Sequence, residues 1–202
     1  MAKSTTSPTS ATRRRCARPA RGEAPMRSGY RVELAQVSHA GALPAIELAA
    51  ATLFPEEDLP ASLREQAIPV SMYREAAEAG RLWVAVAESG EPVGFAIVTI
   101  VDGCAHVFEL DVHPAHGRRG LGTRLLRAVA DWAAARGYPA VTLTTFRHLP
   151  WNAPFYARFG FREIPEARLG PELRALFEQE VARGLERTKR VVMRLAVSRP
   201  PV

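Results

Sequence analysis

Leu110-Asp111-Val112-His113-Pro114-Ala115-His116-Gly117-Arg118-Arg119-Gly120-Leu121-Gly122-Thr123-Arg124-Leu125-Leu126 runs from a β-rich segment, through a glycine-rich turn, into an amphipathic helix. The helix signal is Leu121, Leu125, Val129 and Trp132 at helical spacing, with Leu126 and Ala133 beside them and Gly137 as a stop. A helix opening on such a turn presents backbone N–H groups without intrahelical partners at the positive end of its dipole. That geometry suits an anion such as pyrophosphate. Gly120 and Gly122 let the backbone approach the phosphates and take positive φ where needed, and Arg118 and Arg119 add positive charge nearby. Two other phosphate loops do not fit. A Walker loop needs a Lys between its last glycine and the Ser/Thr, and Gly122 is followed directly by Thr123; Leu125 holds the place of the third glycine of a dinucleotide fingerprint.

Upstream of this stretch lies the clearest β region. Leu82–Glu88, Pro92–Val101 and Cys104–Val112 are rich in Val, Ile, Phe and Ala and are separated by the turns Ser89-Gly90-Glu91 and Asp102-Gly103, which predicts an antiparallel meander. Strict alternation would place His106, Phe108, Leu110 and Val112 on one face of the last strand, and Val107, Glu109 and Asp111 on the other. Earlier still, Val32, Leu34 and Gln36 begin a short strand. Ser38 is expected to cap a helix through Leu43, Ile46, Leu48 and Ala50. After an acidic loop around Glu56, Glu57 and Asp58, short helices are expected at Ala61–Ala67 and Val70–Ala79. Downstream, Ala140–Thr145 reads as a strand, Trp151–Phe159 as a short helix, residues 160–164 as the start of a strand, Leu169–Leu185 as a helix and Arg190–Val197 as a final strand. The sum is an α/β protein with a sheet of about seven strands and helices on both faces.

The net charge of +6 suggests nucleic acid at first sight, but its location speaks against that. Residues 1–29 hold seven basic residues against Glu23 alone, and the remaining chain has 20 basic and 20 acidic residues. The basic excess therefore belongs to a Ser/Thr/Pro/Arg-rich N-terminal tail, residues 1–29, expected to be disordered, with the folded domain over 30–197. The bland readings of that tail are a solvated extension or a stretch ahead of a start at Met26; a nucleic-acid arm and a targeting segment are the rivals. No apolar run is long enough to span a bilayer. Two isolated cysteines, Cys16 and Cys104, suggest neither a disulfide framework nor a zinc site, which points to a cytoplasmic protein. His113 and His116 lack partner ligands at metal spacing, so no metal is expected.

With Leu110-x-Val112 leading into Gly117-Arg118-Arg119-Gly120-Leu121-Gly122, the chain resembles the GNAT superfamily of N-acetyltransferases, whose pyrophosphate loop reads Gln/Arg-x-x-Gly-x-Gly/Ala between a strand ending in Leu-x-Val and a helix. The family's Gln/Arg position is Gly117 here, with basic residues one and two places later. Asn152-Ala153-Pro154-Phe155-Tyr156-Ala157-Arg158-Phe159-Gly160-Phe161 resembles the family's Asn…Tyr-x-x-x-Gly-Phe segment. The resemblance covers residues 30–195 in element order and is strongest over 105–164.

The resemblance implies the GNAT acyl-CoA N-acyltransferase fold, with a mixed, mostly antiparallel sheet, and acetyl-CoA as co-substrate. Gly117, Arg118, Arg119, Gly120, Leu121, Gly122 and Thr123 would cradle its pyrophosphate. Leu110, Asp111 and Val112 would run along its pantetheine arm, with Asn152 and Phe155 beside it. An N–H near Leu110 would polarise the thioester carbonyl. Tyr156 would protonate the departing thiolate; its rival reading is a core tyrosine with a satisfied hydroxyl. For the base, Glu109 is preferred and His106 is the rival, since an imidazole titrates near neutrality. The implied activity is direct acetyl transfer to a primary amine, with a small-molecule acceptor favoured over a protein and a homodimer as a possible assembly. The alternative is a GNAT-like module that senses acyl-CoA without turnover. The acidic loop Glu56-Glu57-Asp58, together with Glu109, is expected to favour a cationic acceptor.

Overall fold

A computed structural model describes residues 29–198; the stretch expected to be a disordered tail lies, apart from Gly29, outside the described residues. The expected meander is present. Strand β1 (Tyr30–Leu34) pairs antiparallel with β2 (Leu82–Ala87), β2 with β3 (Pro92–Val101), and β3 with β4 (Cys104–Val112). Then β5 (Ala140–Phe146) joins β4 in parallel, and β7 (Arg190–Ala196) lies antiparallel between β5 and the edge strand β6 (Arg162–Glu163). The strand order in this seven-stranded sheet is β1-β2-β3-β4-β5-β7-β6.

Helices cover both faces. The helices are α1 (Leu43–Ala51), α2 (Ala61–Arg64), α3 (Val70–Glu78), α4 (Leu121–Ala135), α5 (Ala153–Phe159) and α6 (Pro171–Ala182), and α4 lies on one face. Leu121, Leu125, Leu126, Val129 and Ala133 of α4 are buried against Trp83, Ala85, Val107 and Leu143, and α5 adds Ala153 and Tyr156 to the same core. Burying each of these leucines and valines contributes about 1.5–3 kcal/mol. On the other face Leu43 and Ile46 of α1 and Tyr73 of α3 pack on Leu82, Val84 and Phe95, and Leu173 and Phe177 of α6 pack on Val101 and Val192. Strand β2 is buried on both sides, which is why Leu82-Trp83-Val84-Ala85-Val86 reads as an unbroken apolar run.

Several element boundaries differ from expectation. Ser38 does not cap an α-helix: a 3-10 turn over Val37–Ala42 intervenes, and Pro44 starts α1 because a proline in the first turn forfeits no hydrogen bond. The same rule moves the start of α5 to Ala153-Pro154 and that of α6 to Pro171. Gly184 at φ 98° closes the C-terminal side of α6 early, short of Leu185.

The more consequential difference is in β4. Its register against β3 jumps, with Ile97 opposite Glu109 but Val98 opposite Val107, so Phe108 is an extra residue in a β-bulge. Alternation is reset there. Ala105, Val107, Leu110 and Val112 all pack toward α4, whereas Phe108 packs with the α1/α3 core. Expecting Phe108 to share a face with Leu110, and Val107 with Glu109, was therefore incorrect.

Candidate active site

Strands β4 and β5 are paired only at Ala105–Val141 and His106–Thr142. Beyond the bulge they diverge, and the edge of β4 from Val107 to Val112 that faces β5 has no strand partner. An unpaired edge of this kind accepts an extended chain as an added strand. The cleft is floored on one side by α4 and α5: a Cβ placed on Gly122 would lie 3.7 Å from both Leu110 Cδ2 and Phe155 Cζ.

The N-terminus of α4 opens at this cleft. Gly120 is its N-cap at φ 77°, and the first backbone N–H with a helical acceptor is that of Arg124, bonded to the Gly120 carbonyl at 3.1 Å. The N–H groups of Leu121, Gly122 and Thr123 are left for a ligand. A Cβ on Gly120 would meet nothing within 4 Å, so this position needs glycine for its φ and for the open space over the loop. Leu121 contributes only its backbone here, because its side chain is buried in the core. Arg118, at φ 57°, and Arg119 are exposed. The loop is tied back to β1 through Tyr30. Its ring lies under the Arg119 guanidinium at 5.6 Å, its hydroxyl is 2.9 Å from His116 Nδ1, and its carbonyl accepts from Arg124 at 3.0 Å. Gly117 ends the 3-10 turn Pro114–His116, where a Cβ would lie 3.1 Å from the Pro114 carbonyl oxygen. Thr123, Arg127, Phe155, Arg158 and Phe159 line a cavity of about 290 Å³ between α4 and α5.

Asn152 sits at the start of α5 and is nearly buried. Its Oδ1 accepts from Thr145 Oγ1 at 2.7 Å, and its Nδ2 has no partner among the described residues. A buried amide donor without a protein partner calls for an acceptor from elsewhere. Tyr156 is 8 % exposed and packs edge-on against Phe155 and Phe161. Burial, then the nearby Glu109 and Asp111, push its hydroxyl pKa above the ordinary value, so it stays protonated at neutral pH.

On the opposite face, Glu109 and Asp111 come together with acids that the sequence did not single out. Glu47 of α1 accepts from Tyr73 Oη and from the Ile68 N–H at 3.2 and 3.1 Å, and burial raises its pKa. Arg190 of β7 bonds Glu180 Oε2 at 2.9 Å and Thr144 Oγ1 at 3.1 Å and stacks over Phe146 at 4.7 Å. Burial, followed by the charge of Glu47, pushes Glu109 up to about 8 despite Arg190. Burial and Glu109 raise Asp111 well above the usual carboxylate range. Such a pair can hold or take a proton near neutrality.

Two expectations move. His106 is 1 % exposed, its Nδ1 lies 2.9 Å from Thr142 Oγ1, and burial lowers its pKa to about 4. It is a neutral interior histidine shut off from solvent. Asp58 is equally enclosed. Burial opposes its ionisation, but hydrogen bonds from Lys189 and His148, each 2.8 Å, outweigh that and hold its carboxyl below the usual value. It fastens the loop to the 3-10 turn Arg187–Lys189 before β7 and to His148 after β5 rather than offering charge to an acceptor, while Glu56 and Glu57 are exposed. The acids placed with Glu109 are Glu47 and Glu180. Their signal was present: Leu43-Ile46-Glu47-Ala50 and Leu173-Phe177-Glu180 each set a carboxylate within an apolar helical stripe.

Among the described residues no group of three or more His, Cys, Asp or Glu side chains is arranged to hold a metal ion, and no helix is long and apolar enough to cross a membrane.

The fold is similar to that of the ribosomal-protein-S18-alanine N-acetyltransferase from Escherichia coli, at 20 % identity and a TM-score of 0.59, over 85 % of this chain and 96 % of that one. It is also similar to a GNAT-family acetyltransferase from Staphylococcus aureus Mu50, at 14 % identity and a TM-score of 0.65, over 84 % and 99 %. A third likeness is the PaiA N-acetyltransferase from Thermoplasma acidophilum in complex with coenzyme A, at 14 % identity and a TM-score of 0.59, over 83 % and 98 %. Residues 44–161, more than half of the sequence, match the family model of the GNAT acetyltransferases. The chain belongs to that family and is an acyltransferase.

Proposed function

We propose that the protein transfers an acetyl group from acetyl-CoA directly to a primary amine of a small, cationic molecule. The observation that carries this reading is the β4 bulge. It turns Leu110 toward the cleft that α4 and α5 border, and leaves Glu109 and Asp111 among Glu47, Glu180 and Arg190 on the other side.

Acetyl-CoA would supply the activated acyl thioester. The α4 N–H groups of Leu121, Gly122 and Thr123, with Arg118 and Arg119, would hold its pyrophosphate, and the β4 backbone over Leu110, Asp111 and Val112, with Asn152 Nδ2, its pantetheine arm. The Leu110 N–H would stabilise developing oxyanion charge. Glu109, directly or through water, would accept the proton of the incoming amine, sharing it with Asp111; His106 is left out of this path because of its burial. Tyr156, kept protonated, would donate to the thiolate. Positioning two reactants in one cleft accounts for much of the rate.

The acid cluster favours a cationic acceptor. The Escherichia coli relative, whose name gives a protein alanine as acceptor, supplies the competing expectation. Incubation with acetyl-CoA and a panel of polyamines, amino acids, aminoglycosides and peptide N-termini decides between them. Acetylation of small cationic amines is the predicted result. Turnover confined to peptide N-termini would refute the small-molecule reading, and cofactor binding with no acetylated amine would favour a sensor.

A further inference from the structure

We infer that the protein carries a second ligand site, for a compact multivalent oxyanion, at the end of β4 opposite the acetyl-transfer cleft. A cavity of about 420 Å³ lies there, between the β3–β4 turn, the start of β5, strands β6 and β7, and the first residues of α6. Its volume falls in the range of small-molecule sites.

Three arginines line it: Arg162 of β6, Arg194 of β7, and Arg168 of the 3-10 turn that follows β6. Arg162 and Arg194 are directly opposite each other in the β6–β7 ladder, so their side chains leave the same face of the sheet. Like charges in that position repel and destabilise the pair. Neither lining acid is ion-paired with them. Asp102 spends both oxygens on capping α6, accepting from the N–H of Glu172 at 3.1 Å and of Leu173 at 3.0 Å. Glu163 spends both on Arg147, at 2.8 and 2.6 Å. Among the described residues Arg162, Arg168 and Arg194 have no side-chain hydrogen bond or ion pair.

Three exposed arginines lining one concavity, with the neighbouring carboxylates hydrogen-bonded elsewhere, match an oxyanion carrying two or more charges, which each planar fork can grip through paired N–H donors. The lining contains no aromatic residue on which a base could stack. That favours a phosphate or polycarboxylate group recognised by charge over a single-stranded nucleic acid. The site is independent of the acetyl-transfer reading: it shares no residue with the cleft.

Half-buried Cys104 lines the same cavity and serves as a reporter. In a Cys16→Ser background, with the transfer cleft filled by excess S-methyl-coenzyme A, which has no free thiol to consume the reagent, alkylation of Cys104 is timed with and without pyrophosphate or citrate. Both anions should slow alkylation several-fold. The double variant Arg162→Gln/Arg194→Gln should need at least about tenfold more anion for the same protection, two charge-assisted contacts having been lost. Without anion at low salt, that variant should be no less stable than the parent, since a repulsion has been removed. Equal protection in parent and variant, no protection by either anion at millimolar concentration, or protection only by an acidic peptide or an oligonucleotide would overturn the inference. Protection by pyrophosphate and not citrate, or the reverse, would identify the anion's source and uphold it.

Discussion

Replacing Glu109 with Gln should slow acetyl transfer by about 100-fold or more and, in alkaline buffer, make the empty protein more stable. Burial first, and Glu47 second, raise the Glu109 pKa from 4.5 to about 8. The folded state therefore binds this proton more tightly than the unfolded chain does. Across the window from 4.5 to about 8, stability contributed by this group falls as the pH rises. Each unit of displacement is worth ~1.4 kcal/mol. Discounted for solvent screening of a half-buried group, the penalty above the window is on the order of 3 kcal/mol. For a domain of this size that corresponds to roughly 5–10 °C in thermal midpoint. Gln has nearly the same shape and carries no such penalty, and Asp111, freed of its like-charged neighbour, should titrate lower. Thermal midpoints of parent and Glu109→Gln, measured from pH 5 to pH 9, should converge in acid and separate progressively in alkali with the variant on top. The same carboxyl is about one-tenth ionised at pH 7, so the parent's acetylation rate should rise about tenfold between pH 7 and pH 9, measured with an acceptor amine that is already neutral at pH 7. The variant should lie about 100-fold or more below it without that alkaline limb. Parallel midpoint curves, or an alkaline limb retained in the variant, would refute the argument that the bulge sets a proton-holding carboxyl beside the cleft.

Tyr156→Phe should lower kcat by about 100-fold with little change in acetyl-CoA affinity, as steady-state kinetics and calorimetry would reveal; equal turnover removes the general-acid role. Gly120→Val should weaken acetyl-CoA binding at least about tenfold while the circular dichroism spectrum is kept, since the side chain would enter open space over the loop and costs only about 1–2 kcal/mol of backbone strain. Asp58→Asn should cost about 1–3 kcal/mol in denaturant unfolding by weakening the Lys189 and His148 contacts, with cofactor affinity unchanged. Because the Asp58 pKa is lowered in the fold, that difference should shrink as the pH falls below the unfolded value of 3.8.

Local chemistry made much of the fold legible. Ser89-Gly90-Glu91 and Asp102-Gly103 punctuate the meander, and the repeat Leu121-Leu125-Val129 marks the helix that carries the anion-binding end. Departures occur where a backbone irregularity or a long-range neighbour decides. Nothing in Val107-Phe108-Glu109 announces the bulge, which is set by pairing with Ile97 and Val98 of another strand. It reassigns faces that strict alternation would have fixed. His106 has the composition of a base but the surroundings of a core residue, because register brings Thr142 beside it. Asp58 looked like free charge and is consumed by Lys189, far along the chain. Glu47 and Glu180 were visible as carboxylates in apolar stripes, but two helices distant in sequence had to be packed on one sheet face before they became one cluster with Glu109.

The most direct measurement is a crystal structure of the protein with coenzyme A bound. Pyrophosphate oxygens should lie about 3 Å from the backbone nitrogens of Leu121, Gly122 and Thr123, with the pantetheine arm extended along Leu110–Val112 between β4 and β5. A cofactor ordered elsewhere on the protein, with those nitrogens facing only water at saturating ligand, would contradict that placement.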